Sequence, residues 1–217
     1  MATPSPATES REMLQKSIAG YCLMPPDDLE AMEVALTGIR RAIDRINTRN
    51  WHWLLAYDDI EFLADQQDYP LRGWFKSPRN FDIWNTDGKS LYRIAYKPWK
   101  TFLTEHQDMA MAGSPCVYSI ANINAFGTLS FDVRPTEGWV AAYPTGRIWY
   151  YRKAQYPTSS GQAIDVPSEL VGFVQPFAEG FMADRYAVQK AASAYDRARE
   201  QWRELVKDDN EVQTDWE

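Results

Sequence analysis

Gly127–Pro157 reads GTLSFDVRPTEGWVAAYPTGRIWYYRKAQYP, and the period of its apolar residues decides the fold. Leu129, Phe131 and Val133 alternate with Ser130, Asp132 and Arg134. Farther on, Ile148, Tyr150 and Arg152 alternate with Trp149, Tyr151 and Lys153. Side chains that change face at every step mark extended strands. The run contains no His, no Cys and no glycine-rich phosphate cradle, so a sheet built here is expected to make contacts rather than do chemistry.

Working outward, the same period of two extends from Trp53 to about Tyr156. The runs DIEFLA, GWFKS, NFDIW, SLYRIAY, CVYSIANI, TLSFDV, GWVAAY and RIWYYRK are rich in aromatic and β-branched residues and are separated by turn residues. Asp87-Gly88 predicts a hairpin, because glycine supplies the positive φ of a tight turn. One helix interrupts the strands, KPWKTFLTEHQDMA, with Pro98 in its first turn.

Beyond both ends of this region the period changes. In PPDDLEAMEVALTGIRRAIDRINTRN, Leu29, Met32, Leu36, Ile39, Ile43 and Ile46 step by three or four and line one helical face. Asp27 is the expected cap with Glu30 three residues on, and Arg40, Arg41, Arg45 and Arg49 suit the negative end of the helix dipole. REMLQKSIAGYCL predicts a shorter helix before it. After the strands, VPSELVGFVQPFAEGFMADRYAVQKAASAYDRAREQWRELVKDD returns to helical spacing, with Ser168 as cap and Pro176 as a kink or break. Neither helical end can bury its stripe alone, so the two should pack together. The expectation is an α+β protein: a helical bundle from 11–52 plus 165–207, with an inserted antiparallel β lobe over 53–164. Residues 1–10 read as a disordered start and 208–217 as a mobile acidic tail.

The 217 residues suffice for one good core or two small lobes, and 45% apolar content places the chain in the globular class. The net charge of -7 argues against a phosphate-gripping surface. MATPSPATES lacks the features of a signal peptide, and no apolar run is long enough to cross a membrane. Cys22 and Cys116 alone make a disulfide framework improbable and fit a reducing compartment.

A search for chemistry returns structural readings. His52, between Trp51 and Trp53, and His106 are 54 positions apart, too sparse for a metal site; they read as a packed and a solvated residue. Cys116 reads as a small buried hydrophobe at the start of a strand, and Asp27-Asp28 and Asp58-Asp59 as ordinary adjacent acids. No cofactor, metal or catalytic residue is expected.

The order of features resembles the head-to-tail adaptor, or connector, proteins of tailed bacteriophages, especially short-tailed ones. That order is a helical start, Trp51 and Trp53, Tyr69-Pro70-Leu71, a hairpin, then Gly113, Pro115 and Tyr118 in a Gly-x-Pro-x-x-Tyr element. LSFDVRP, IWYYRKAQYP and the proline-started tail DVPSEL follow, so the resemblance runs from about Met13 to Leu205. It implies a virion structural protein made in the bacterial cytoplasm. Such a protein forms a ring, commonly twelve-fold, beneath the portal protein, extends the DNA channel without binding DNA specifically, and carries tail or nozzle proteins. Trp202, Leu205, Val206 and Trp216 are then the portal-docking candidates, and Trp139, Tyr143, Trp149 and Tyr151 the subunit-interface candidates. Removing Asp208–Glu217 would weaken portal binding and leave the isolated fold intact. The alternatives are a carbohydrate- or peptide-binding module with an aromatic platform, or a hydrolase with an unidentified carboxylate site.

Overall fold

The computed structural model describes residues 9–88, 91–106, 111–122 and 126–214. The first segment forms α1 (Arg11–Tyr21), α2 (Leu29–Ile46) and a 3-10 turn (His52–Leu54). The middle forms β1 (Leu55–Glu61), β2 (Asp68–Trp84), β3 (Leu91–Tyr92), β4 (Ala95–Tyr96), α3 (Trp99–Glu105), β5 (Ala112–Gly113) and β6 (Val117–Ala121). It continues with β7 (Phe126–Phe131), β8 (Arg134–Pro135), α4 (Glu137–Ala142) and β9 (Thr145–Arg152). Two long helices, α5 (Ser168–Tyr186) and α6 (Val188–Thr214), follow. The fold is α+β, with helices from both chain ends in one unit (1–54 and 154–217) and the strands in another (55–153).

In the helical unit α2 packs on α5, and α5 on α6. The seam between α2 and α5 is made of small residues. A Cβ on Gly38 would lie 3.0 Å from the Ala178 Cα, and Ala31, Ala35 and Ala42 are buried on the same helix. Close backbone approach, rather than large side chains alone, holds this pair, and Leu29 at the head of the predicted stripe is 83% exposed. The cap of α2 is Asp28, not Asp27: its carboxylate accepts from the Ala31 N–H at 3.0 Å. Ser10 caps α1, accepting from Met13.

Pro176 does not end its helix. Losing one helical hydrogen bond at a proline costs about 3 kcal/mol. Leu170, Val171, Val174 and Ala178 around it are buried, and each large apolar side chain contributes about 1.5–3 kcal/mol. The chain reverses instead at Ala187 (φ −152°, ψ 55°), and Gly180 lets Tyr195 of α6 lie against α5. Ser168 is the first helical residue and makes no cap bond, with Pro167 in the cap position.

Residues 154–164, expected in the β lobe, belong to the helical unit. Asn47 clamps Ala154 from both sides, its Nδ2 donating to the carbonyl at 3.0 Å and its Oδ1 accepting from the N–H at 2.9 Å. Arg11 N–H donates to Gln162, Ile164 N–H to Glu9, and Ile164 and Val166 are buried in the helical core. The expected loose acidic tail is also corrected: α6 continues to Thr214, and Asp209 is fully buried. Truncation at Asp208 would therefore remove part of the fold. Trp216 lies outside the described residues, as do residues 1–8 of the expected disordered start.

In the strand unit the sheet order is β1-β9-β2-β7-β6-β4, with β3 paired to the end of β2. Most pairs are antiparallel, but β4 runs parallel to β6, and β5 and β8 form a separate parallel pair. β2 is 17 residues long because register shifts near Pro70 and Pro78 absorb prolines that a regular ladder excludes. Gly88 (φ +66°) turns the chain from β2 toward β3. GWVAAY is helix α4 rather than a strand: the Thr136 hydroxyl accepts from Trp139 N–H, and the segment has no period of two. Its Trp139 enters an aromatic core, 5.2 Å from Phe62 and 6.0 Å from Phe131 between ring centroids.

Candidate functional site

The strand unit carries an aromatic surface on one face of β1, β9 and β2. Register places Tyr57 opposite Trp149, and Asp59 opposite Arg147 opposite Asp82. Alternation sends Ile148 and Tyr150 into the core and leaves Arg147 and Trp149 on the other face. Tyr57 is 47% exposed, and its ring centroid is 5.0 Å from that of Trp149. Arg147 organises the patch. Its guanidinium sits 4.3 Å from the Tyr57 centroid, 5.8 Å from that of Trp149 and 6.0 Å from that of Trp84. It also grips both Asp59 oxygens, at 2.6 and 2.9 Å. That bidentate hydrogen bond holds the Asp59 carboxyl below the usual carboxylate range and raises Arg147.

Behind this face, Asp58 is buried and satisfied. It accepts from the Arg72 N–H at 2.8 Å and the Tyr150 hydroxyl at 3.0 Å. Asp58 and Asp59 thus point to opposite faces, one structural and one bound to Arg147, and cannot act as a carboxylate pair. A second exposed pair, Trp74 and Phe126, lies across β2 and β7 with centroids 5.8 Å apart. Burial, helped by Lys153, pushes the Lys76 amine down to about 8.

A buried polar cluster occupies the helical unit. Asp209 Oδ1 accepts from the His52 N–H and pairs with His52 Nδ1, both at 2.8 Å, while Oδ2 accepts from Arg49 Nε at 2.9 Å. Arg49 also donates to Asn210 and lies over Trp51. His52 is packed against Trp53, as the aromatic run implied, but its ring is fixed by an acid 157 residues away. A His–Asp pair orients an imidazole for proton transfer when a nucleophile faces it. No serine or cysteine hydrogen-bonds to His52 among the described residues, and no group of three or more His, Cys, Asp or Glu there can hold a metal ion.

Neither a known protein family nor a curated protein sequence matches this chain. No helix among the described residues is long and apolar enough to cross a membrane.

The predicted site residues divide by burial. Trp202 is half-buried against Trp51 (5.1 Å) and Phe173 (4.8 Å), Leu205 is buried and Val206 half-buried, all in the helical core. These three hold the bundle together. Trp139 and Tyr151 are buried in the strand unit, while Tyr143 and Trp149 are half-buried. Only Trp149 joins the exposed aromatic face. Its partners Tyr57, Trp84 and Arg147 were not picked out from the sequence, although alternation along β9 places Arg147 and Trp149 on one side. Asp209 had no sequence signal, because its partners come from the other end of the chain.

Proposed function

We propose that this chain is a structural adaptor of a tailed-phage virion, a subunit that assembles beneath a portal and presents a platform to a tail or nozzle protein. The observation that carries the reading is the division of labour in the fold. Helices from both chain ends close on one core, and the inserted strand unit turns an aromatic, arginine-stacked face to solvent. Exposed Tyr, Trp and Arg together are the side chains that most often anchor protein interfaces. Of the adjacent acids, Asp58 is engaged in backbone and tyrosine hydrogen bonds, Asp59 with Arg147 and Asp28 as a helix cap, and Asp27 is exposed beside that cap. The chain's acidity suits a channel wall that must let DNA pass. In this reading Trp216, at the end of the acidic tail, remains the candidate for portal docking, whereas Trp202 and Leu205 act by supporting α6.

Electron microscopy of the full-length chain mixed with candidate portal rings tests the proposal. The expected result is a ring of added density on one portal face. Portals that bind nothing, across the set from short-tailed phages, would contradict it.

The same patch favours one other reading. Tyr57, Trp84 and Trp149 flanked by Asp59, Asp82 and Asn80 combine aromatic faces with polar groups, as sugar-binding surfaces do. Glycan-array binding abolished by Trp149→Ala would favour it over assembly.

A further inference from the structure

We infer that a groove of the helical unit, formed along α5 by α6 and Glu9, binds a linear aliphatic diamine, a small dication with N–H donors at both ends. The inference goes beyond the adaptor reading and does not depend on it. The groove encloses about 510 Å³, with one face of α5 from Ser168 to Glu179 as its floor and Glu200 and Gln201 of α6 along one side. At 1.5 Å per helical residue that floor is about 16 Å long. Ile164 N–H donates to the Glu9 carbonyl and holds this residue in place beside it.

One end of the groove is already satisfied: Glu179 is buried, bound to Arg197 at 2.7 Å and accepting from Gln175 Nε2 at 2.9 Å. Toward Ser168 the polar groups call for donors. Pro176 has no N–H, so the Gly172 carbonyl lacks its regular helical partner. Glu9 Oε2 is shut off from solvent and accepts no hydrogen bond among the described residues. Gln201 brings its Oε1 to Gly172, 3.1 Å from where a Cβ would stand, while its Nε2 donates to Glu204 at 3.4 Å. A shielded carboxylate oxygen without a donor is costly. An ammonium group brings three donors and no acceptor, the complement of these groups.

Charge sets the valence of the ligand. Arg197 compensates Glu179, which leaves Glu9 and Glu200 as two lining carboxylates that form no ion pair with another described residue. No group of three or more His, Cys, Asp or Glu among the described residues can hold a metal ion, so a compact divalent cation finds no ligand set here. A diamine spreads the same charge along the groove, and its methylenes can lie over the apolar surface that Val171 and Pro176 contribute.

Isothermal titration calorimetry of the full-length chain with 1,4-diaminobutane at low salt tests the site. A single saturable site is expected, about tenfold or more tighter than for butylamine, which carries one ammonium group. Glu9→Gln is expected to weaken diamine binding by about tenfold, and Glu200→Gln, whose carboxylate is exposed, by about threefold. Glu33→Gln removes the same charge from an exposed position on α2 and should leave the affinity unchanged. Glu200→Gln alters only a surface side chain, so its result stands whatever Glu9→Gln does to the fold. Absence of saturable binding, equal affinity for the two amines, displacement by an equal concentration of magnesium ion, or wild-type affinity in Glu200→Gln would overturn the inference. None of these results touches the portal experiment, which decides the adaptor reading separately.

Discussion

Asp209 shows how a single residue ties together distant parts of the helical unit. Its carboxylate has no exposed surface and accepts from a backbone N–H, an imidazole and a guanidinium donated by the segment after α2. Removing one member of a buried, hydrogen-bonded charge cluster strands the others, at a cost of about 3–5 kcal/mol when all are buried. Arg49 and His52 retain 30% and 21% side-chain exposure, so water recovers part of that cost. Asp209→Ala is therefore expected to lower unfolding free energy by about 2–4 kcal/mol in urea denaturation, and a loss below half a kcal/mol would refute the role given to the cluster. Lys76 makes a prediction about pH. Its folded value is about 8, against 10.5 as the ordinary value, so between those limits the unfolded chain holds a proton that the fold does not. Stability contributed by this group therefore rises with pH through that window, and below about pH 8 the fold carries a charged, half-buried amine. Lys76→Met should melt higher than wild type at pH 7, and the difference should shrink at pH 9, still below the range of ordinary tyrosine ionisation. Equal differences at both pH values would show that desolvation of the amine is not the cause.

At the scale of elements, what the sequence disclosed depended on whether the governing interaction was local. The helices at both ends and the strands of β7 and β9 follow from periods of 3.6 and 2, and both periods survive because each element has one face in a core. GWVAAY was misread because its aromatic content resembles a strand, yet a threonine cap and the absence of alternation make it α4. Aromatic composition is a weaker guide than period. Of the kink or break expected at Pro176 the break does not occur, for a different reason: the cost of a proline is local, but the burial that outweighs it comes from α2 and α6, which lie far away in sequence. The small-residue seam at Gly38 and Ala178 was invisible to a search for large apolar residues. Of the candidate site, Trp149 was legible from β9 alone. Tyr57, Trp84 and the bidentate Arg147–Asp59 contact required strand order, which a single sequence does not encode in any short window.

For the whole molecule, the net charge of -7 has a consequence if copies assemble around DNA. Each added subunit brings more negative charge to the assembly, and of the bases of 91–100 Lys97 is bound to Glu105. Three members of the concentrated basic group Arg40, Arg41, Arg45 and Arg49, on and after α2, are also in use. Arg41 lies over Phe181, Arg45 over Trp202, and Arg49 is bound to Asp209. Affinity for duplex DNA depends on neutralising phosphates and releasing their counterions, so a protein that spends its cations internally gains little from this source. The assembled protein is thus expected to leave the mobility of a duplex of mixed sequence unchanged at physiological salt, and at 50 mM salt, where phosphate contacts are stronger, to produce at most a faint shift. Firm retention of DNA at the lower salt, relieved by raising it, would reveal a phosphate-binding surface and would argue against a passive channel wall.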